Sequence, residues 1–264
     1  MIPIRRPSKL VATGLALIAS GCIALVAAAP ARGSQQTAPT QGQGNPLQLD
    51  EGRRLYLESC SSCHGPQGEG ARLSGGVAAP SLRGVGAASV DFYIATGRMP
   101  LADTNSQAVR KPPAFNDAQR AALVAYVTSL APGGPPIPVV DLKGASLSAG
   151  AELFLTNCAA CHNAAGVGGA LSYGAFAPSL HPPTPVQIAE AQRIGPGNMP
   201  VFGPETLSDK QVDDVVRYVE YLQHPDDAGG AGLGHFGPIP EGFVGLLFGL
   251  GSLILFVAWV GTRA

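Results

Sequence analysis

The sequence predicts a mainly α-helical chain, built as a tandem pair of small helical modules. An apolar segment precedes the modules, and one C-terminal transmembrane helix follows them. Three observations carry this. The pentapeptide Cys60-Ser61-Ser62-Cys63-His64 returns as Cys158-Ala159-Ala160-Cys161-His162. The residues flanking the two copies repeat in the same order. The stretch from Phe243 to Thr262 is apolar and uncharged, long enough to cross a bilayer.

Residues 1–31 begin with Arg5, Arg6 and Lys9, continue uncharged from Leu10 to Ala29, and reach a small-residue site at Ala29-Pro30-Ala31. This pattern reads as a signal peptide, and its length equally suits a retained N-terminal membrane anchor. A lipoprotein site at Ala19-Ser20-Gly21-Cys22 is the weaker third reading, because Ala19 stands where a larger aliphatic residue is usual. All three place the rest of the chain outside the cytoplasm. Residues 32–48, polar and rich in Gln, Gly and Pro, read as a flexible tether.

The first module spans 49–131 and the second 147–225. Gly52-Arg53-Arg54-Leu55-Tyr56-Leu57 leads into the first pentapeptide as Gly150-Ala151-Glu152-Leu153-Phe154-Leu155 leads into the second. Ala79-Pro80-Ser81-Leu82 matches Ala177-Pro178-Ser179-Leu180, and Arg98-Met99-Pro100 matches Asn198-Met199-Pro200. Each module closes with a helix opened by a capping-box pair, Asn116 with Gln119 and Ser208 with Gln211. Leu123, Val127 and Leu130 form one apolar stripe; Val212, Val215, Val216, Val219 and Leu222 form the other. Pro132 and Pro225 stop these helices. The first module has an extra polar, Pro-containing stretch after Pro100, which reads as a surface loop. Residues 132–146 form a Pro/Gly linker and 226–240 a hinge. The transmembrane helix then covers 241–262, and Arg263 with the basic N-terminus puts both ends of the chain on the cytoplasmic side.

Composition narrows the function. Net charge is −1 and only 13% of residues are charged, which offers nucleic acid no surface. The chain holds 35 Gly and 24 Pro, so it is loop-rich. A buried porphyrin can supply the apolar area that such a chain lacks, worth about 25 cal/mol per Å². Four of the 5 cysteines lie in the two pentapeptides and Cys22 lies in the apolar leader, so none remain for a disulfide framework.

A C-x-x-C-H run is a c-type haem attachment signature. Cys60, Cys63, Cys158 and Cys161 are the expected thioether sites for two covalently bound c-type haems, with His64 and His162 as proximal iron ligands. The chain has 3 methionines, and apart from the first residue they are Met99 and Met199. Both precede proline at equivalent places, which points to axial iron ligation instead of the usual gap-filling role. Pro80 and Pro178 are expected to support the histidines through a backbone carbonyl. His181, His224 and His235 read as surface residues. Structural zinc usually takes C-x-x-C pairs about 15–20 residues apart, and a redox dithiol wants a βαβ pattern; neither context is present.

Each module thus resembles a class I cytochrome c domain. The whole arrangement, with Gly-Pro-Ile-Pro-Glu-Gly at 237–242 introducing the anchor, is similar to the dihaem cytochrome c subunit of the actinobacterial cytochrome bcc complex. Residues 91–100 and 195–200 are similar to that family's two methionine segments. The resemblance implies a subunit of a quinol–cytochrome-c reductase with no catalytic site of its own. It implies a cell-membrane location with the haem domains on the extracytoplasmic side. Its partners would be cytochrome b, the Rieske iron–sulfur subunit and a copper-containing terminal oxidase. Electrons would pass from the Rieske centre through two His/Met haems to that oxidase. An electron-donating subunit of a haem–copper oxidase is the alternative, and a dihaem peroxidase is a more distant one.

Overall fold

The computed structural model describes residues 45–73, 78–101, 103, 107–226, 233 and 238–262. The apolar leader, Cys22, most of the tether, His235 and Arg263 lie outside the described residues.

The first module opens with α1 (Pro46–Ser59), which begins inside the stretch read as tether. Asn45 caps it by accepting from Gln48 N at 2.8 Å, and Pro46 occupies the first turn, where its missing N–H costs nothing. A single turn, α2 (Ser61–His64), carries the pentapeptide. Strands β1 (Ala71–Arg72) and β2 (Ala78–Ala79) pair antiparallel, Ala71 opposite Ala79. Then come α3 (Ala87–Ala95) and α4 (Asp117–Leu130), the latter with both hydrogen bonds of its Asn116–Gln119 capping box in place.

The second module repeats the order. It runs through α5 (Leu147–Asn157), α6 (Ala159–His162), β3 (Gly169–Ala170) and β4 (Phe176–Ala177), again antiparallel. Next are α7 (Pro185–Ile194) and α8 (Asp209–Gln223). Helix α8 has the Ser208–Gln211 box, and α7 has a third capping box at Thr184 and Gln187.

Two equivalent helix crossings organise the cores. α1 packs on α4 at Gly52, where a Cβ would collide with the Ala122 carbonyl. α5 packs on α8 at Gly150, against the Asp214 carbonyl. One turn further on, Tyr56 meets Tyr126 and Phe154 meets Tyr218, each pair with ring centres 5.3 Å apart. Such tilted pairs add about 0.5–1.5 kcal/mol beyond their burial. The predicted stripes face inward, with Leu123, Val127, Val212, Val215, Val216 and Val219 all buried.

The two modules are joined more closely than a linker implies. Ile137 is 3% exposed and belongs to the first core, while Val140 and Leu142 pack on the second. Ala88 N donates to Pro135 O at 3.1 Å, and Gly134, at φ 63°, is pressed against Val85 and Gly86. Residues 132–146 are therefore a stitched connection, held by apolar anchors at both ends. Directly between the modules, α3 packs on α7, and Val186 reaches the first core.

At the C-terminus, α9 (Pro238–Val244), a π-helical segment (Gly245–Leu250) and α10 (Gly251–Gly261) run as one helix. Ile239–Gly261 has a mean hydropathy of 2.4, long and apolar enough to cross a membrane.

Candidate functional site: two haem-attachment pentapeptides

Each pentapeptide is placed by the helix before it. Cys60 N donates to Tyr56 O at 2.8 Å and Cys158 N to Phe154 O at 2.8 Å, so the long helix runs straight into the short turn. The buried Tyr56 hydroxyl donates to Gly65 O at 2.7 Å and ties the end of the first motif back to α1. Gly65, at φ 78°, and Asn163, at φ 67°, then turn the chain through a conformation that few residues adopt readily.

The histidines are held alike. His64 Nδ1 lies 2.8 Å from Pro80 O, and His162 Nδ1 lies 2.9 Å from Pro178 O. A carbonyl oxygen only accepts, so Nδ1 carries the proton in each ring. That leaves Nε2 as the lone-pair nitrogen, the form that ligates a metal. Burial pushes His162 below the usual histidine range against the opposing effect of its hydrogen bond to Pro178 O, which keeps it neutral and ligand-competent.

Burial, and then the second thiol of each pair, push Cys60 and Cys158 up to about 11. A redox dithiol or a zinc site needs the opposite shift toward thiolate. Among the described residues, no three of His, Cys, Asp and Glu gather as a metal-binding cluster.

In the second module the predicted residues converge. Cys158, Cys161, His162, Pro178 and Met199 line one cavity of about 1320 Å³. Its walls are mainly apolar, with Phe154, Ile188, Val215 and Val219 among them. Room for a large flat group, two thiols at one edge, a neutral imidazole and a thioether all fit a covalently attached porphyrin. In the first module His64 is 9% exposed, and Cys60, Cys63 and Met99 are half-buried.

The methionine segments rest on cations that sequence reasoning did not single out. Arg193 donates to Phe202 O at 2.8 Å and Leu207 O at 2.7 Å and pairs with Asp209 at 2.5 Å, clamping the loop that carries Met199. Lys111 Nζ reaches Pro100 O at 2.6 Å and Arg98 O at 3.3 Å, bracketing Met99. Gly97, at φ 65°, leaves room for the Lys111 carbonyl. No motif spacing announces these contacts.

Two expectations change. The stretch after Pro100 is a strap between modules and not only a surface loop: Gln107 donates to Phe176 O at 2.8 Å and accepts from Phe176 N at 3.1 Å. His181 is half-buried, with Nε2 3.0 Å from Ala165 O, so it packs in the second module and is not a free surface residue. His224 is exposed.

Comparison with known proteins agrees with this geometry. Residues 49–131 match a family described as "Cytochrome c", and residues 145–219 match "Cytochrome C oxidase, cbb3-type, subunit III". A cytochrome bc1 complex cytochrome c subunit of Mycobacterium leprae is 41% identical over 82% of this chain and 76% of its own length. The subunit of that name in Mycobacterium tuberculosis strain H37Rv is 39% identical over 98% of this chain and 94% of its own. That of Corynebacterium diphtheriae is 36% identical over 85% of this chain and 84% of its own. The duplicated motifs, the two helical modules and these near full-length matches agree, and the chain belongs to the family of cytochrome bc1 complex cytochrome c subunits.

Proposed function

We propose that this chain is the membrane-anchored dihaem cytochrome c subunit of a quinol-oxidising cytochrome bc complex. It takes single electrons from the Rieske centre and delivers them to a terminal, copper-containing oxidase. The observation that carries the reading is the duplication of one ligand arrangement: C-x-x-C-H with the histidine Nδ1 on a proline carbonyl, in both modules.

A c-type haem supplies one-electron exchange between ferric and ferrous iron. This chain's residues do the rest. Cys60, Cys63, Cys158 and Cys161 would hold the group covalently through thioether bonds, which bring no charge into the buried site. His64 and His162 present Nε2 to iron, oriented by Pro80 and Pro178. Met99 and Met199 would supply the second protein ligand to each iron, which would favour electron transfer over binding of substrate. The helix Ile239–Gly261 keeps the modules at the membrane, on its extracytoplasmic face, beside cytochrome b and the Rieske subunit.

The test is purification of the tagged full-length chain in mild detergent, with haem counted by pyridine haemochrome. Two haems per chain and recovery of cytochrome b and Rieske subunits are expected. The match of 145–219 to an oxidase subunit family favours one second reading, an oxidase donor subunit. Recovery of oxidase without cytochrome b or Rieske subunit would establish it instead. A peroxidase reading requires a haem that binds carbon monoxide when reduced; two low-spin haems inert to it exclude that reading.

A further inference from the structure

The cavity of the second module is closed partly by the first. Arg98 and Arg110 both line it, together with Phe92 and Tyr93. Arg98 is 9% exposed, and its Nη1 is fully buried without a hydrogen-bond partner. Its guanidinium carbon sits 4.9 Å from the centre of the Phe92 ring, a stacking that fixes the fork in place but satisfies none of its N–H groups. Arg110 Nη2 donates to Gln187 Oε1 at 2.5 Å, a neutral partner. Burial pushes the Arg110 guanidinium below its usual value, and no acid opposes the shift.

A buried guanidinium and a half-buried one at a mainly apolar cavity, neither ion-paired among the described residues, are costly unless an anion arrives. Both forks are suited to planar carboxylates. The cavity is the one that holds Cys158, His162 and Met199, and a c-type haem carries two propionate carboxylates.

We propose that Arg98 and Arg110, supplied by the first module, bind the propionates of the haem carried by the second. The inference rests on the haem reading above and goes beyond it, since the second module's site is then incomplete without the first. The pairing keeps both propionates ionised, so electron uptake at this haem is not tied to proton uptake.

The test is a redox titration of the full-length haem-loaded chain, resolving the two haems, across the pH range in which an unpaired propionate protonates. In the unmodified chain the second haem's potential is expected to be flat over that range. Arg110→Gln should make it pH-dependent and shift it lower, with haem content unchanged, and Arg110→Lys should restore part of the shift. Arg98→Gln should do the same. Potentials and pH profiles unchanged in both Gln variants overturn the proposal. So does a steep pH dependence of the second haem in the unmodified chain, a measurement that needs no variant to fold. Replacing Cys158 and Cys161 by Ala identifies which haem is the second. If that change removes no haem, the haem reading itself fails, and the inference falls with it for a separate and visible reason.

Discussion

Met199 illustrates how one side chain is given its task. It is half-buried against Phe202 and the valines of α8, and Arg193 holds the two carbonyls that bracket the rest of its loop. A thioether there can approach a group in the cavity without reorganising the loop, which lowers the cost of ligation. Met199→His is expected to retain haem and to lower the potential of that centre, because imidazole favours ferric iron more than a thioether does. Redox titration of the variant checks it; an unchanged potential removes Met199 as a ligand. The motif residues were legible because C-x-x-C-H is local chemistry. Arg98, Arg110, Lys111 and Arg193 were not: Lys111 and Arg193 donate to backbone carbonyls, Arg110 to a side chain of the other module, and Arg98 lines a cavity that only the packed modules form.

Among the elements, the crossings of α1 on α4 and α5 on α8 set the position of everything downstream. Gly150 permits backbone approach at Asp214, and the same helix continues into Cys158. Gly150→Ala pushes α5 away from α8 and is expected to cost about 1–3 kcal/mol by overpacking, read as a lower midpoint in denaturant with haem still bound. The capping boxes at Asn116 and Ser208 were readable because side chain and backbone partner are three residues apart. Helix α1 begins inside the stretch read as tether, because the composition around Asn45 and Pro46 resembles one. The linker was misjudged for a similar reason. A Pro-rich run reads as a spacer unless one knows that Ile137 has a core to enter.

At the scale of the whole molecule, the contact between modules is built around a buried acid pair. Glu190 of α7 is 0% exposed and Asp91 of α3 is 6% exposed, and Glu190 has no other hydrogen-bond partner. Arg120 Nε lies 2.9 Å from Asp91 Oδ1 and also pairs with Asp117 at 2.9 Å. Burial, then the Asp91 charge, push Glu190 from 4.5 up to about 10, so it keeps its proton beside the Asp91 carboxylate. Burial also raises Asp91, with Arg120 opposing. The folded chain therefore binds a proton on Glu190 that the unfolded chain releases. This contribution is complete below pH 4.5 and is lost as pH rises toward about 10, at up to about 1.4 kcal/mol per pH unit. Glu190→Gln keeps a neutral donor and is expected to flatten the loss of stability between neutral and alkaline pH, as measured by thermal melts across that range. A slope equal to that of the unmodified chain would show that the pair does not hold the modules together. Separately, a chain with residues 1–31 replaced by a cleavable export signal and ending before Pro238 is expected to leave the membrane fraction without detergent while keeping its haem spectrum, since Ile239–Gly261 packs on neither core.

Periodicity, capping signals and a tandem motif were enough for the class of fold, the two modules, their closing helices and the apolar C-terminal helix. Each of these depends on residues within a few turns of one another, where chemistry and spacing are read together. How the modules meet depends on contacts across the chain: Gln107 on Phe176, Arg110 on Gln187, Glu190 on Asp91, and Ile137 in a core that its own segment does not build. Such pairings are selected by complementary shape and charge once both surfaces exist, and no local pattern encodes them. The pentapeptides named the group that each module can hold. The packing of the first module against the second placed two arginines, neither ion-paired among the described residues, at the wall of the second cavity.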